Sequence, residues 1–181
     1  MSRARILDYN KGIIVNKGLA ATIGVTFFVL ATALGAYVRI PIIGTPVPVT
    51  FQTFFVIMAG AVLGKRLGAL SQLCYAILSV PFLLGPTGGY FMGFIAASYV
   101  VGRMTGPGKS GIGWAVFSFA VGSIIIYTFG ILWLSYLLKI DIAKAIYMGA
   151  LPFIPGDTVK ILIAAIIYSG ISKRSKEIFS E

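Results

Sequence analysis

Asp157 and Lys160 stand three residues apart in an otherwise apolar stretch, the spacing that puts an acid and a base on one face of a helix. Inside a hydrocarbon zone each such charge costs roughly 2.5–3.5 kcal/mol even on the lenient insertion scale, so an ionisable residue there is a functional candidate. A helix that starts at Pro155-Gly156, with its positive dipole end and an ammonium one turn in, suits a carboxylate ligand. Two other readings of the pair stand beside this one. It can be a self-neutralising structural pair, or Asp157 can cap the N-terminus of the last helix. Thr50, Gln52 and Thr53 add hydrogen-bonding groups where a second apolar segment begins. Gln52 both donates and accepts, which suits an amide or urea, while Thr50 serves equally well as a helix cap. Gly88-Gly89-Tyr90 offers close backbone approach beside a polar-tipped ring. Tyr147 fits either a pocket wall or the aromatic belt at a membrane interface.

Most enzyme chemistry is excluded by what the chain lacks. Its 181 residues contain no His, which removes His-dependent nucleophilic relays and every His-ligated metal site. Cys74 is the one cysteine and sits among apolar neighbours as a small core residue, with no internal disulfide possible. Five carboxylates, mostly near the chain ends, leave little for acid–base catalysis. No metal site and no cofactor are expected. Gly106-Pro-Gly-Lys-Ser110 resembles the end of a phosphate-binding loop, but position 103 is Arg where the pattern needs Gly, and no strand precedes it.

The elements that must position these residues follow from composition. The chain is 58% hydrophobic and 11% charged, with mean hydropathy +0.96. Soluble domains are about half apolar and one quarter charged. Too few charges remain to cover a soluble globule, and the chain reads as an all-α membrane protein. Charges and Pro/Gly clusters punctuate apolar runs at 18–38, 49–63, 67–84, 90–102, 112–138 and 157–171. Six transmembrane helices are expected, the last preceded by a segment broken at Pro152 and Pro155-Gly156. Residues 1–17 form an N-terminal segment, 18–172 the membrane domain and 173–181 a tail. With four basic residues and no continuous apolar core, the first 17 residues do not read as a secretory signal.

The net charge of +10 is explained by topology. With both termini cytoplasmic, the inner segments hold eleven basic residues: Arg3, Arg5, Lys11, Lys17, Lys65, Arg66, Arg103, Lys109, Lys173, Arg174 and Lys176. The outer segments hold Arg39, Lys139 and Lys144. This is a positive-inside distribution, and it removes the main support for nucleic-acid binding. Three Pro/Gly-rich elements, at 41–52, 85–90 and 152–157, then share the outer side; each singly reads as an ordinary connecting turn, and their coincidence with the acid–base pair suggests a ligand cavity opening outward. Small residues at spacing four, Ala31/Gly35 among them, permit close helix contact or a docking face for a partner protein.

Four motifs in order, Pro46-Val-Pro-Val-Thr-Phe-Gln-Thr53, Gly60 through Gly64-Lys-Arg-Leu-Gly68, Gly85-Pro-Thr-Gly-Gly-Tyr90 and Pro152-Phe-Ile-Pro-Gly-Asp-Thr-Val-Lys160, resemble the BioY family. The resemblance runs from about Thr22 to Ile171. It implies a six-helix subunit that captures biotin from outside, the substrate-binding S-component of an energy-coupling-factor (ECF) transporter. In such systems a transmembrane coupling protein and two ATP-binding-cassette (ABC) ATPases drive transport, and the S-component is thought to topple to release its ligand inward. The resemblance carries the family's acidic and basic binding residues onto Asp157 and Lys160, and lines the same pocket with the polar residues after Pro48 and with Gly88-Gly89-Tyr90. S-components often carry Ala-x-x-x-Ala in the first helix for docking the coupling protein; here the nearest match is Ala31-x-x-x-Gly35. A multi-pass protein of the bacterial cytoplasmic membrane is therefore expected. An S-component for another vitamin, an autonomous ion-coupled carrier and a membrane scaffold are the alternatives.

Overall fold

The computed structural model describes residues 5–8, 13–108 and 111–179, with side chains from Asn16 onward. Arg3, Lys11, Lys109 and Ser110 lie outside the described residues, as does the side chain of Arg5. A short antiparallel pair, β1 (Arg5–Asp8) and β2 (Ile13–Asn16), leads into α1 (Lys17–Tyr37). The Asn16 side chain starts α1 by accepting from the N–H groups of Gly18 and Leu19 at 3.0 and 3.3 Å, two donors that a first helical turn cannot satisfy itself. Leu19, Ile23, Phe27, Leu30 and Leu34 form an exposed stripe along α1. Spacings of three and four place them on one face, which in water would be an aggregation surface and in a bilayer is an ordinary lipid contact.

After α1 the chain makes a clasp: β3 (Arg39–Ile40) pairs antiparallel with β4 (Val49–Thr50), Arg39 opposite Thr50. The Pro-rich residues 41–48 form the loop between them, where missing N–H groups and fixed φ angles do no harm. The Phe51 N–H then donates to the Gly35 carbonyl at 3.0 Å and ties the clasp to α1.

Next comes α2 (Gln52–Leu78), and it is not straight. Gly64 has φ 82° and ψ 177°, a conformation open essentially to glycine alone. Gln52 Nε2 donates to the Tyr75 hydroxyl at 2.5 Å, although a continuous helix would hold the two about 35 Å apart. The chain therefore folds back at Gly64 into two antiparallel arms. A Cβ on Gly68 would lie 2.7 Å from the Gly60 Cα, which shows how closely the arms approach. The expected boundary at Gly64-Lys65-Arg66 is this reversal. Gln72 Nε2, fully buried, lies 3.4 Å from the Thr32 hydroxyl and bonds the second arm to α1.

A short turn of helix, α3 (Val80–Leu83), precedes α4 (Gly88–Met104) and α5 (Ile112–Leu138). Lys139, left-handed at φ 53°, ends α5. Then α6 (Ile142–Gly149), capped by Asp141, passes through a 3-10 turn (Leu151–Phe153) into α7 (Ile154–Phe179). Pro155 and Gly156 sit in the first turn of α7, where proline's lost donor would have been unpaired anyway. The last helix thus starts three residues before the expected 157 and continues through the segment read as a tail, where Ser175 Oγ donates to the Val62 carbonyl at 2.6 Å.

Among the described residues, four helical stretches are long and apolar enough to cross a membrane: Lys17–Tyr37, Gln52–Leu78, Ile112–Leu138 and Ile142–Phe179. The 17 residues of α4 reach about 26 Å, slightly short of a bilayer core of about 30 Å. Packing centres on α2, which contacts α1, α4 and α7, while α5 closes against α4 and α7.

Candidate functional site

A cavity of about 50 Å³ opens where the clasp, the start of α2, the start of α4, the middle of α5 and the first turn of α7 meet. Thr50, Gln52, Thr53, Thr87, Tyr90, Tyr127, Asp157 and Lys160 supply its polar lining, and Phe91, Phe94, Ile126 and Phe153 are among its apolar walls. Four stretches of chain far apart in sequence, 47–53, 87–94, 126–127 and 153–160, build it. Apolar walls with convergent polar groups are the usual constitution of a small-molecule site.

Asp157 and Lys160 are both buried, at 4% and 7% exposure, and Lys160 Nζ donates to Asp157 Oδ1 at 2.5 Å. Each charge is further satisfied. The ammonium donates to the Thr50 carbonyl at 2.7 Å and faces the Thr53 hydroxyl at 3.4 Å, which accounts for its three hydrogens. Asp157 Oδ1 accepts from Thr53 Oγ1 at 3.1 Å, and Oδ2 accepts from the Tyr127 hydroxyl at 2.6 Å. A buried ion pair persists only with such additional partners, because its Coulomb attraction alone does not offset desolvation. The carboxylate is held by side chains from α2, α5 and α7, so it is not free to act as the N-cap of the last helix. It sits in the first turn of α7, where the dipole favours its charge.

Gln52 is oriented from both ends. Its Nε2 donates to Tyr75, and its Oε1 accepts from Thr50 Oγ1 at 3.0 Å. The Tyr75 ring stacks on Phe91 with centroids 5.5 Å apart and planes at 20°. Tyr90 lines the cavity with its ring, while its hydroxyl donates to the Gly149 carbonyl at 2.6 Å and anchors the end of α6.

Several sequence-predicted residues lie elsewhere. Gly88 and Gly89 are buried against protein: a Cβ on Gly88 would overlap the Leu83 carbonyl, and one on Gly89 would overlap Trp133. Their close approach is to neighbouring helices. Tyr147 is 69% exposed on α6, outside the cavity lining, as an interface-belt aromatic would be. Ala31 and Gly35 are buried, and a Cβ on Gly35 would come within 3.0 Å of the Phe51 and Gln52 backbone. Gly35 thus packs α1 against the start of α2.

Tyr127 was not singled out by the sequence. The available signal was a phenol near the middle of the longest apolar run, Ile112–Leu138, where a hydroxyl needs a partner. Among the described residues no group of His, Cys, Asp or Glu is placed to hold a metal ion.

Residues 10–177 match the model of the BioY family. The chain is 35% identical over 163 residues to the biotin transporter BioY of Thermotoga maritima, covering 83% of this chain and 94% of that one. It is 39% identical over 156 residues to the probable biotin transporter BioY of Pyrococcus horikoshii, covering 79% and 90%. Its fold is that of a solved S-component for biotin from an ECF-type ABC transporter, with TM-score 0.77 at 23% identity over 89% of this chain and 95% of the other.

Proposed function

The chain belongs to the BioY family, and from that premise we propose that it is the biotin-capturing S-component of an ECF transporter, a transport subunit and not an enzyme. The observation that carries the reading is the buried Asp157–Lys160 pair in the wall of a cavity that also presents aromatic rings and hydrogen-bonding side chains. Biotin has a carboxylate at one end and a ureido ring at the other. Lys160 is the cation for the carboxylate, which replaces the Thr53 hydroxyl at 3.4 Å, the weakest of the three contacts of that ammonium. Asp157 and the Gln52 carbonyl accept from the ureido N–H groups, and Phe91, Phe94 and Phe153 cover the thiophane ring and valeryl chain.

Six membrane passes are supported by the reversal at Gly64. The two arms of α2, the latter extended by α3, count as separate passes with α1, α4, α5 and α7. Lys65 and Arg66 at the turn can snorkel to the interface, which compensates for the short first arm. An even number of passes puts both termini on one side, the excess of basic residues makes that side cytoplasmic, and the cavity then opens outward. A separate coupling protein and ABC ATPases supply the energy, a reading supported by the likeness to the S-component of an ECF-type ABC transporter. The cell membrane is its place of work.

Equilibrium binding of radiolabelled biotin to detergent-purified protein tests the proposal. Saturable binding at one site per chain is expected; its absence from a monodisperse, folded preparation overturns the reading.

A further inference from the structure

Five hydroxyl side chains line the cavity, and four of them already donate to protein acceptors. Thr50 donates to Gln52, Thr53 and Tyr127 donate to Asp157, and Tyr90 donates to the Gly149 carbonyl. Thr87 is the exception. It stands at the N-cap of α4, where a threonine ordinarily turns its oxygen onto the first helical N–H groups, yet its side chain makes no capping bond. The backbone explains why. At φ −85° and ψ −6° Thr87 is already helical, whereas a capping side chain needs the extended conformation. Backbone groups serve the helix start instead: the Gly88 N–H donates to the Gly85 carbonyl, and the Tyr90 N–H to the Thr87 carbonyl, each at 3.0 Å. The hydroxyl of this half-buried residue is left for a ligand.

We propose that Thr87 is a specificity-determining residue that donates to the ureido carbonyl oxygen of biotin, an inference that rests on the function proposed above. The ureido group has two N–H donors and one carbonyl oxygen with two lone pairs. Asp157 and the Gln52 carbonyl answer the N–H groups and Lys160 answers the carboxylate, so the carbonyl oxygen still needs donors. Leaving it buried without one carries the full cost of its desolvation. The second amide hydrogen of Gln52, whose first goes to Tyr75, serves one lone pair, and Thr87 serves the other. A site built to hydrogen-bond a polar group discriminates strongly against analogues that lack it.

Thr87 is held in place from both sides. Trp133 Nε1 donates to the Gly85 carbonyl at 2.9 Å before it, and Tyr90 is anchored on Gly149 after it. Gly88 and Gly89 let α4 press against Leu83 and Trp133, where a Cβ would overlap them. The glycines touch protein, and through that packing they present the residue before them to the cavity.

Thr87→Val keeps the side chain's shape and removes the donor, while Thr87→Ser keeps the donor. Affinities are read by competition against radiolabelled biotin on the detergent-purified full chain. Thr87→Val is expected to weaken biotin about tenfold, and Thr87→Ser to stay within about threefold of the unaltered protein. Desthiobiotin and biotin amide retain the ureido carbonyl and should lose the same factor. Thiobiotin carries a thiocarbonyl, a poor acceptor, in place of that carbonyl, so its affinity should differ by no more than about twofold between Thr87→Val and the unaltered protein. A purely structural role for Thr87 would weaken thiobiotin as much as biotin, and that result overturns the proposal. Unchanged biotin affinity in Thr87→Val overturns it as well. Sparing of biotin amide would move the hydroxyl to the carboxylate, and sparing of desthiobiotin would move it to the thioether sulfur; either result overturns the assignment. All of these comparisons are made on protein whose unaltered form binds biotin saturably, so a failure at Thr87 is distinct from a failure of the proposed function.

Discussion

The Tyr127 hydroxyl donates to Asp157 Oδ2 at 2.6 Å, joining the middle of α5 to the first turn of α7 across the ligand cavity. The bond leaves both oxygens of a buried carboxylate engaged by protein and fixes the plane in which it meets a ligand. Hydrogen bonds to charged groups contribute about 1.5–3 kcal/mol net. Tyr127→Phe keeps the ring and removes the donor, so biotin affinity should fall about tenfold with the fold intact by circular dichroism. Affinity unchanged within about twofold would show that the phenol does not orient the carboxylate.

The ion pair itself can be separated into structural and ligand-binding parts. Removing one partner of a buried pair leaves an uncompensated charge and costs about 3–5 kcal/mol, while replacing both by apolar residues is often neutral or stabilising. Lys160→Met and Asp157→Leu should each lower the thermal midpoint, and the double variant should recover most of it. Biotin binding should be lost in all three. Recovery of binding together with stability in the double variant would assign the pair a purely structural role.

Lys160→Ala should also weaken biotin far more than biotin amide, which lacks the carboxylate. The comparison is made by competition against radiolabelled biotin. Equal losses for the two ligands would move the carboxylate away from Lys160.

Much of this site was readable because polarity is scarce in the chain. Asp157, Lys160, Gln52 and Thr50 are conspicuous in apolar surroundings, and the structure brings all four to one cavity. Glycine carried less information. A missing side chain admits a ligand or a neighbouring helix equally, and at Gly88, Gly89 and Gly35 the neighbour is protein. Tyrosine was ambiguous for a similar reason, since an apolar ring with a polar tip suits a core, a pocket or an interface. Tyr147 lies exposed outside the cavity, while Tyr127, in a run that reads as plain membrane helix, lines it. The reversal at Gly64 was visible as a charged boundary, but the left-handed φ that makes it depends on how closely the two arms pack.

Glycine substitutions test that packing. Gly64→Ala places a side chain at φ 82° and ψ 177°, a strain of about 1–3 kcal/mol, and Gly102→Ala drives a methyl into the Lys65 and Gly64 backbone. Both should lower the thermal midpoint. Gly170→Ala, in the interior of α7 with nothing within 4 Å of the new methyl, should raise stability by about 0.5–1 kcal/mol. Equal effects at the three positions, measured by thermal unfolding in one detergent, would contradict the fold-back at Gly64.

Thr50 and Thr53 are two threonines with different partners, and the difference predicts unequal consequences. Thr53 Oγ1 donates to the charged Asp157, whereas Thr50 Oγ1 donates to the neutral Gln52 amide. The contact between Thr50 and Lys160 is made by the backbone carbonyl, which survives any side-chain substitution. Thr50→Val should therefore cost the neutral-bond value, about 0.5–1.5 kcal/mol, and Thr53→Val the charged-acceptor value, about 1.5–3 kcal/mol. Both replacements keep the β-branched shape, so the comparison isolates the hydroxyl. In biotin titrations Thr53→Val should weaken binding several-fold more than Thr50→Val. The reverse order would mean that Gln52, held by Thr50, carries more of the ligand than the carboxylate does.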